Sequence, residues 1–148
     1  MSDETEIIIP NEWRPRPYQL PLWNYFEGGG RRAVAVWHRR GGKDSTALNI
    51  SVSKMLQRVG NYWHMLPQAT QGRKVVWDAI DRQGRRVIDQ VFPLAIRRRV
   101  NNQEMKIELI NGSIWQCVGS DNYNSLVGAN PVGIVFSEYS VADPQAWD

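Results

Sequence analysis

The stretch AVAVWHRRGGKDSTALN, residues 33–49, restricts the fold of this chain more than any other. Residues 33–37 are apolar throughout, as in a strand buried on both faces. A basic trio and two adjacent glycines, Gly41 and Gly42, come next. Glycine reaches positive φ without steric cost and lets a ligand approach the backbone closely. From Lys43 the apolar residues Leu48, Val52, Met55, Leu56 and Val59 recur at i, i+4, i+7, i+8 and i+11, the spacing of an amphipathic helix. Strand, glycine loop and helix in that order aim free backbone N–H groups and the positive end of a helix dipole at one spot, which suits an anion. An ordinary strand–turn–helix connection with solvated basic residues gives the same pattern.

Against the phosphate-loop pattern G-x-x-x-x-G-K-[ST], Gly42 and Lys43 match. Trp37 stands where the first glycine belongs and Asp44 where a hydroxyl belongs. Lys43 would reach the β and γ phosphates as a point charge. Asp44 offers a hard carboxylate oxygen that suits Mg²⁺ directly or through water. It reads equally as a first-turn residue complementing the helix dipole. Ser45 and Thr46 carry hydroxyls, each displaced along the helix.

The remaining elements continue the same alternation. Residues 14–18 hold two prolines, each biasing its predecessor to extended backbone. Residues 19–26 read as a short helix with Leu20, Trp23 and Phe26 on one face, ended by Gly28, Gly29 and Gly30. Gly60 stands where a helix C′ glycine belongs, and residues 61–66 read as a strand stopped by Pro67. Residues 69–92 read as helical, with Val75, Val76, Ala79, Ile80, Val87 and Ile88 as the apolar face and Gly72 and Gly84 weakening it. Residues 106–119 read as a hairpin at a sheet edge, with Asn111-Gly112 as a two-residue turn. Residues 132–136 form a last apolar strand, followed by Ser137 and Glu138. The order predicts one α/β domain with a mainly parallel sheet, and 148 residues suffice for its core.

Fourteen of the 18 basic residues are arginine, and the net charge is +3. Arginine binds phosphate bidentately, so the bias suits a phosphate or nucleic-acid partner, although the base composition of a genome gives the same bias. One cysteine, Cys117, makes no internal disulfide or metal cluster and is expected to be inert. His38 and His64 lack partners at metal-ligand spacing and are expected at strand ends or in the core. The scattered tryptophans are expected to pack the core. No apolar run reaches the roughly 20 residues that span a membrane, and the acidic N-terminus does not read as a secretory signal.

Four segments, RPRPYQLPLW, HRRGGKD, MLPQATQGRKVVW and INGSIWQCVGSDNYNSLVGANPVGIVFSEYS, together resemble the N-terminal ATPase domain of the large terminase subunit of tailed bacteriophages, the motor that packages DNA. The resemblance covers nearly the whole chain. It implies an ASCE-type P-loop NTPase with a mainly parallel sheet, helices on both faces and an inserted β-hairpin. Residues 1–148 would be part of that ATPase domain, truncated after the Walker B motif, with the rest of the domain and a nuclease domain absent. Gln19 would read adenine and Tyr18 stack on it; Arg40, Gly41, Gly42, Lys43, Asp44 and Ser45 would hold the nucleotide. Glu138 would polarise the attacking water, and Arg39 would act in cis on the γ-phosphate. Asp44 and Ser137 would hold Mg²⁺, Ser137 standing where the family has an aspartate. Implied partners are ATP, double-stranded DNA, the portal protein, the small terminase subunit and further copies in a ring, in the host cytoplasm. Arg73 or Arg97, Arg98 and Arg99 would be candidates for an arginine acting in trans. Two other readings stay open: a helicase-like DNA translocase, and a catalytically inactive nucleic-acid-binding or assembly module.

Overall fold

The computed structural model describes residues 14–35, 43–121 and 130–137. Helix α1 (Leu20–Glu27) and helix α2 (Lys43–Gln57) precede strand β1 (Asn61–Leu66). Helix α3 (Ala69–Gly72), a π-helical turn (Arg73–Trp77) and helix α4 (Val87–Val91) come after it. Strands β2 (Arg97–Asn101), β3 (Lys106–Leu109), β4 (Ile114–Gly119) and β5 (Gly133–Phe136) complete the α/β architecture. The five strands form one sheet in the order β2-β3-β4-β1-β5. β1 pairs parallel with β4 on one side and β5 on the other, and β3 pairs antiparallel with both β4 and β2.

The hairpin is therefore not an edge appendage. Its second strand, β4, lies inside the sheet, and only β3 and β2 form the antiparallel edge. Its turn also differs from the expectation. Gly112 has φ +94° while Asn111 is not at positive φ, which excludes a type I′ turn. Gly112 N–H donates to Leu109 O (3.0 Å) and Leu109 N–H to Ser113 O (2.8 Å), a three-residue loop closed by a left-handed glycine. The loop also serves α2. Asn111 Nδ2 and Ser113 Oγ both donate to Met55 O, at 2.8 and 2.9 Å, satisfying a carbonyl the end of the helix leaves open.

Strand β2 has no counterpart among the expected elements, although its consecutive arginines are largely solvent-facing, as a basic run ordinarily is. It is an edge strand, where charge on exposed positions discourages pairing with another chain. The run 33–37 departs in the other direction. Residues 33–35 form no strand, and Val34 is 91% exposed. An apolar run becomes a strand only where a neighbour completes its hydrogen-bond ladder, and among the described residues the sheet ends at β5.

Helix α1 closes with a Schellman motif. Gly30 N–H donates to Tyr25 O and Gly29 N–H to Phe26 O, with Gly29 at φ +96°. Helix α2 ends before Gly60, which is not at positive φ; a Cβ there would lie 2.3 Å from Val132 Cγ2. Its role is close packing against the approach to β5. Val59 lies past the end of the helix and is exposed, as is Leu56 in its last turn, while Leu48, Val52 and Met55 are buried as predicted.

The core centres on Trp115 of β4, which is fully buried. Trp77 stacks on it at 6.2 Å with an interplanar angle of 8°, and Phe92 lies against it at 5.2 Å. The parallel register puts Tyr62, His64 and Leu66 beside Trp115, Cys117 and Gly119 on one sheet face. Helix α2 meets this face through Tyr62, and α3 through Leu66 and Cys117.

The π turn explains why the predicted face of residues 69–92 is only half right. Widening a helical turn rotates the downstream residues about the helix axis. Val76 and Ile88 are buried as expected, but Trp77 takes the core position while Val75 (45%) and Ile80 (63%) face outward. Gly84, at φ +80°, then turns the chain between Ile80 and Arg86.

Gly72 lets α3 sit directly on β4, since a Cβ there would lie 2.7 Å from Cys117 Sγ. Gly72→Ala is expected to destabilise the fold by about 1–3 kcal/mol through overpacking. Chemical denaturation of Gly72→Ala, Cys117→Ala and the double variant checks this. The double variant should recover part of the loss that Gly72→Ala alone incurs.

Candidate functional site

Three parallel strands share a C-terminal edge, and in open α/β sheets ligands bind outside that edge. Pro67 follows β1 there, Ser120 and Asp121 follow β4, and Ser137 follows β5. Hydrogen bonds knit these loops together. Ser120 Oγ donates to Pro67 O (3.0 Å), Asp121 Oδ1 accepts from Ala69 N–H at the start of α3 (3.2 Å), and Ser137 N–H donates to Met65 O (2.8 Å).

Helix α2 begins at this edge with Lys43, which is exposed, and Asp44, which is half-buried. His64, fully buried in the middle of β1, places Nε2 2.9 Å from Asp44 Oδ1. Ser137, at the end of β5, lies close enough to the Asp44 carboxylate for its hydroxyl to favour the charged form. The start of α2 and the end of β5, distant in sequence, thus meet at one carboxylate. Burial opposes its ionisation, but the hydrogen bond and favourable electrostatics of His64, the Ser137 hydroxyl and the Lys43 ammonium outweigh that. Asp44 consequently titrates below the ordinary carboxylate value of 3.8.

The donor set fits a magnesium ion. Mg²⁺ keeps several waters and is usually held by one or two carboxylates together with substrate phosphates. Asp44 and Ser137 supply a carboxylate and a hydroxyl beside Lys43. No cluster of three or more His, Cys, Asp or Glu side chains suited to an all-protein metal cage occurs among the described residues.

Ser45 is half-buried in the first turn, and its carbonyl accepts from Asn49 Nδ2 (2.8 Å). Thr46 is fully buried and cannot offer its hydroxyl to a ligand at the surface. Gln19 is 3% exposed and its Oε1 accepts from Arg16 N–H (2.9 Å). Tyr18 is exposed, with its hydroxyl accepting from Arg16 Nη1 (3.0 Å). Ser53 and Lys54 bind Glu27 and Phe26 of α1, at the far end of α2 from Lys43. Arg39, Arg40, Gly41, Gly42 and Glu138, with Trp37 and His38, lie outside the described residues.

Of the arginines considered for a role in trans, Arg97 pairs with Asp89 (3.2 Å), Arg98 donates to Ile110 O (2.9 Å), and Arg73 donates to Asn102 O and Gln103 O. Cys117 is 2% exposed. Burial, reinforced by the Asp44 charge and opposed by Arg73, pushes its thiol up to about 12, so it stays protonated and unreactive. The residue that sequence reasoning missed is His64. It lies 20 positions from Asp44, and only the register of β1 against the start of α2 joins them.

No family model and no curated protein matches the chain. Among solved structures, the large terminase ATPase domain of Thermus phage P74-26 superposes with a TM-score of 0.71 at 18% identity, over 93% of this chain and 58% of that one. An arginine-to-alanine mutant of the same domain gives 0.68, also at 18% identity and the same coverage. The chain thus has the fold of a phage large terminase ATPase domain and spans somewhat over half the length of those structures. No helix among the described residues is long and apolar enough to cross a membrane.

The depressed Asp44 carboxyl makes a pH prediction. Its contribution to stability is present above the unfolded value of 3.8 and is lost as pH falls through the lower native value. Unfolding free energies measured across the acid range should therefore fall less steeply for Asp44→Asn than for the natural sequence. Parallel curves would show that the Asp44–His64 contact does not discriminate the charged form.

Proposed function

We propose that this chain is the nucleotide-binding part of a phage large terminase ATPase, which couples ATP hydrolysis to movement of double-stranded DNA into a procapsid. The observation that carries the reading is the meeting of Lys43, Asp44 and Ser137 at the C-terminal edge of the parallel strands. It is supported by the fold shared with the Thermus phage domain. That likeness favours it over a helicase-like translocase, and turnover measurements separate it from an inactive assembly module.

In this reading Lys43 neutralises charge on the β and γ phosphates from the start of α2, where the helix dipole adds to its effect. Bound Mg²⁺ would supply electrostatic stabilisation of the phosphate oxygens. Asp44 would hold it, with Ser137 acting through its hydroxyl or through water. Gly41 and Gly42 let the backbone approach the phosphates, and Arg40 and Ser45 line them. Glu138 accepts a hydrogen bond from the attacking water and orients it. Arg39 stabilises charge developing on the γ-phosphate in cis, and Gln19 with Tyr18 contacts the base. The chemistry is phosphoryl transfer to water, driven by positioning and charge more than by covalent steps. DNA contacts would run to the phosphate backbone and weaken with salt. The portal protein, the small subunit, a ring of copies and the host cytoplasm belong to the same proposal.

Nucleotide binding and turnover test it in a protein that carries the complete ATPase domain. Lys43→Ala should weaken ATP binding at least tenfold. Glu138→Gln should keep binding and reduce turnover by a factor of about 100 or more, on the order expected for removing a group that positions water. Equal activity in all three proteins would overturn the site assignment.

A further inference from the structure

We infer that His64 is a positioning residue for the nucleotide site, holding Asp44 so that its carboxylate can serve a magnesium–phosphate complex; this rests on the nucleotide-site reading above. His64 is fully buried, its ring 6.3 Å from that of Trp115 and its backbone in register with Cys117. An imidazole in such surroundings is costly unless it is hydrogen-bonded. Among the described residues its side chain bonds Asp44 Oδ1, 2.9 Å from Nε2, while Nδ1 is buried without a partner. An ionised carboxylate can only accept, so Nε2 carries the hydrogen and donates it. The arrangement spends the hydrogen-bonding capacity of a core residue on a single carboxylate at the ligand edge.

The usual phosphate loop has a Ser or Thr where this chain has Asp44. A hydroxyl there sits close to the backbone. A carboxylate is longer, carries two oxygens and turns about an extra bond, so it needs outside support to keep one orientation. His64 grips it through Oδ1 from the core, and Ser137 at the end of β5 lies beside the same carboxylate. The substitution at position 44 and the histidine on β1 thus form one device. Groups that orient a metal-binding side chain typically influence metal affinity roughly 10- to 100-fold.

The test uses the intact chain and a fluorescent ATP analogue titrated with Mg²⁺. His64→Gln can present an amide near the position of Nε2, whereas His64→Asn, of similar polarity, cannot reach Asp44. The Mg²⁺ concentration giving half-maximal enhancement of nucleotide binding should rise about tenfold in His64→Asn and stay near the natural value in His64→Gln. Binding without Mg²⁺ should be the same in both. In an Asp44→Ser background, which restores the usual hydroxyl, the two substitutions at position 64 should become equivalent.

Equal Mg²⁺ midpoints for His64→Asn and His64→Gln, or the same difference between them with Ser at position 44, would overturn the inference. If His64→Asn proves unfolded while His64→Gln is folded with an unshifted midpoint, the Asp44→Ser pair decides. Rescue of folding there supports the inference, and continued unfolding overturns it. A separate Lys43→Ala arm distinguishes the two levels. Unchanged binding in that variant sinks the nucleotide site itself, whereas Lys43-dependent binding indifferent to position 64 sinks only the role of His64.

Discussion

Parallel pairing of β1 with both β4 and β5 is the constraint on which the rest of the structure depends. Parallel neighbours cannot be joined by tight turns, so the chain must leave the sheet and return between them. The return from β1 to β4 contains α3, the π turn, α4 and the antiparallel strands β2 and β3. The same parallelism gathers the chain segments after β1, β4 and β5 along one edge, where side chains distant in sequence meet.

One sheet face does two jobs with neighbouring residues. Around Trp115 it is apolar and aromatic, with Trp77 and Phe92 against it. Two residues along β1 from Tyr62, and on that same face, stands His64, whose imidazole turns toward Asp44. A packed aromatic block behind the histidine removes its freedom to rotate, and it excludes water that would compete for Nε2. The stability of the core and the geometry of the edge are therefore not separable: both run through β1.

Much of this was legible in the sequence, and the exceptions have physical causes. Periodicity located α2, because Leu48, Val52 and Met55 all bury, and Pro67 marked the end of β1. The turn glycines announced the end of α1 and the hairpin. Periodicity failed for residues 69–92, since a π turn shifts the phase midway and no local signal marks it. It failed for β2, whose arginines are edge-strand residues with partners supplied by Asp89 and the Ile110 carbonyl. It failed at residues 33–35, where strand character requires a neighbour and the composition alone could not provide one. At the site, the sequence pointed to Asp44 and Ser137 separately. Their meeting, and the presence of His64 between them and the core, is a product of register, which no spacing along the chain encodes.

The hydrogen bonds from Asn111 and Ser113 to Met55 O give α2 a fixed footing. A helix is stiff along its axis, so one whose last turns are bolted to a hairpin loop behaves as a strut. Its other end carries Lys43 and Asp44; its footed end rests on the connection between β3 and β4. A push on the Lys43 end is thus delivered as a load to the opposite pole of the sheet, through a rod and not through a chain of adjustable contacts.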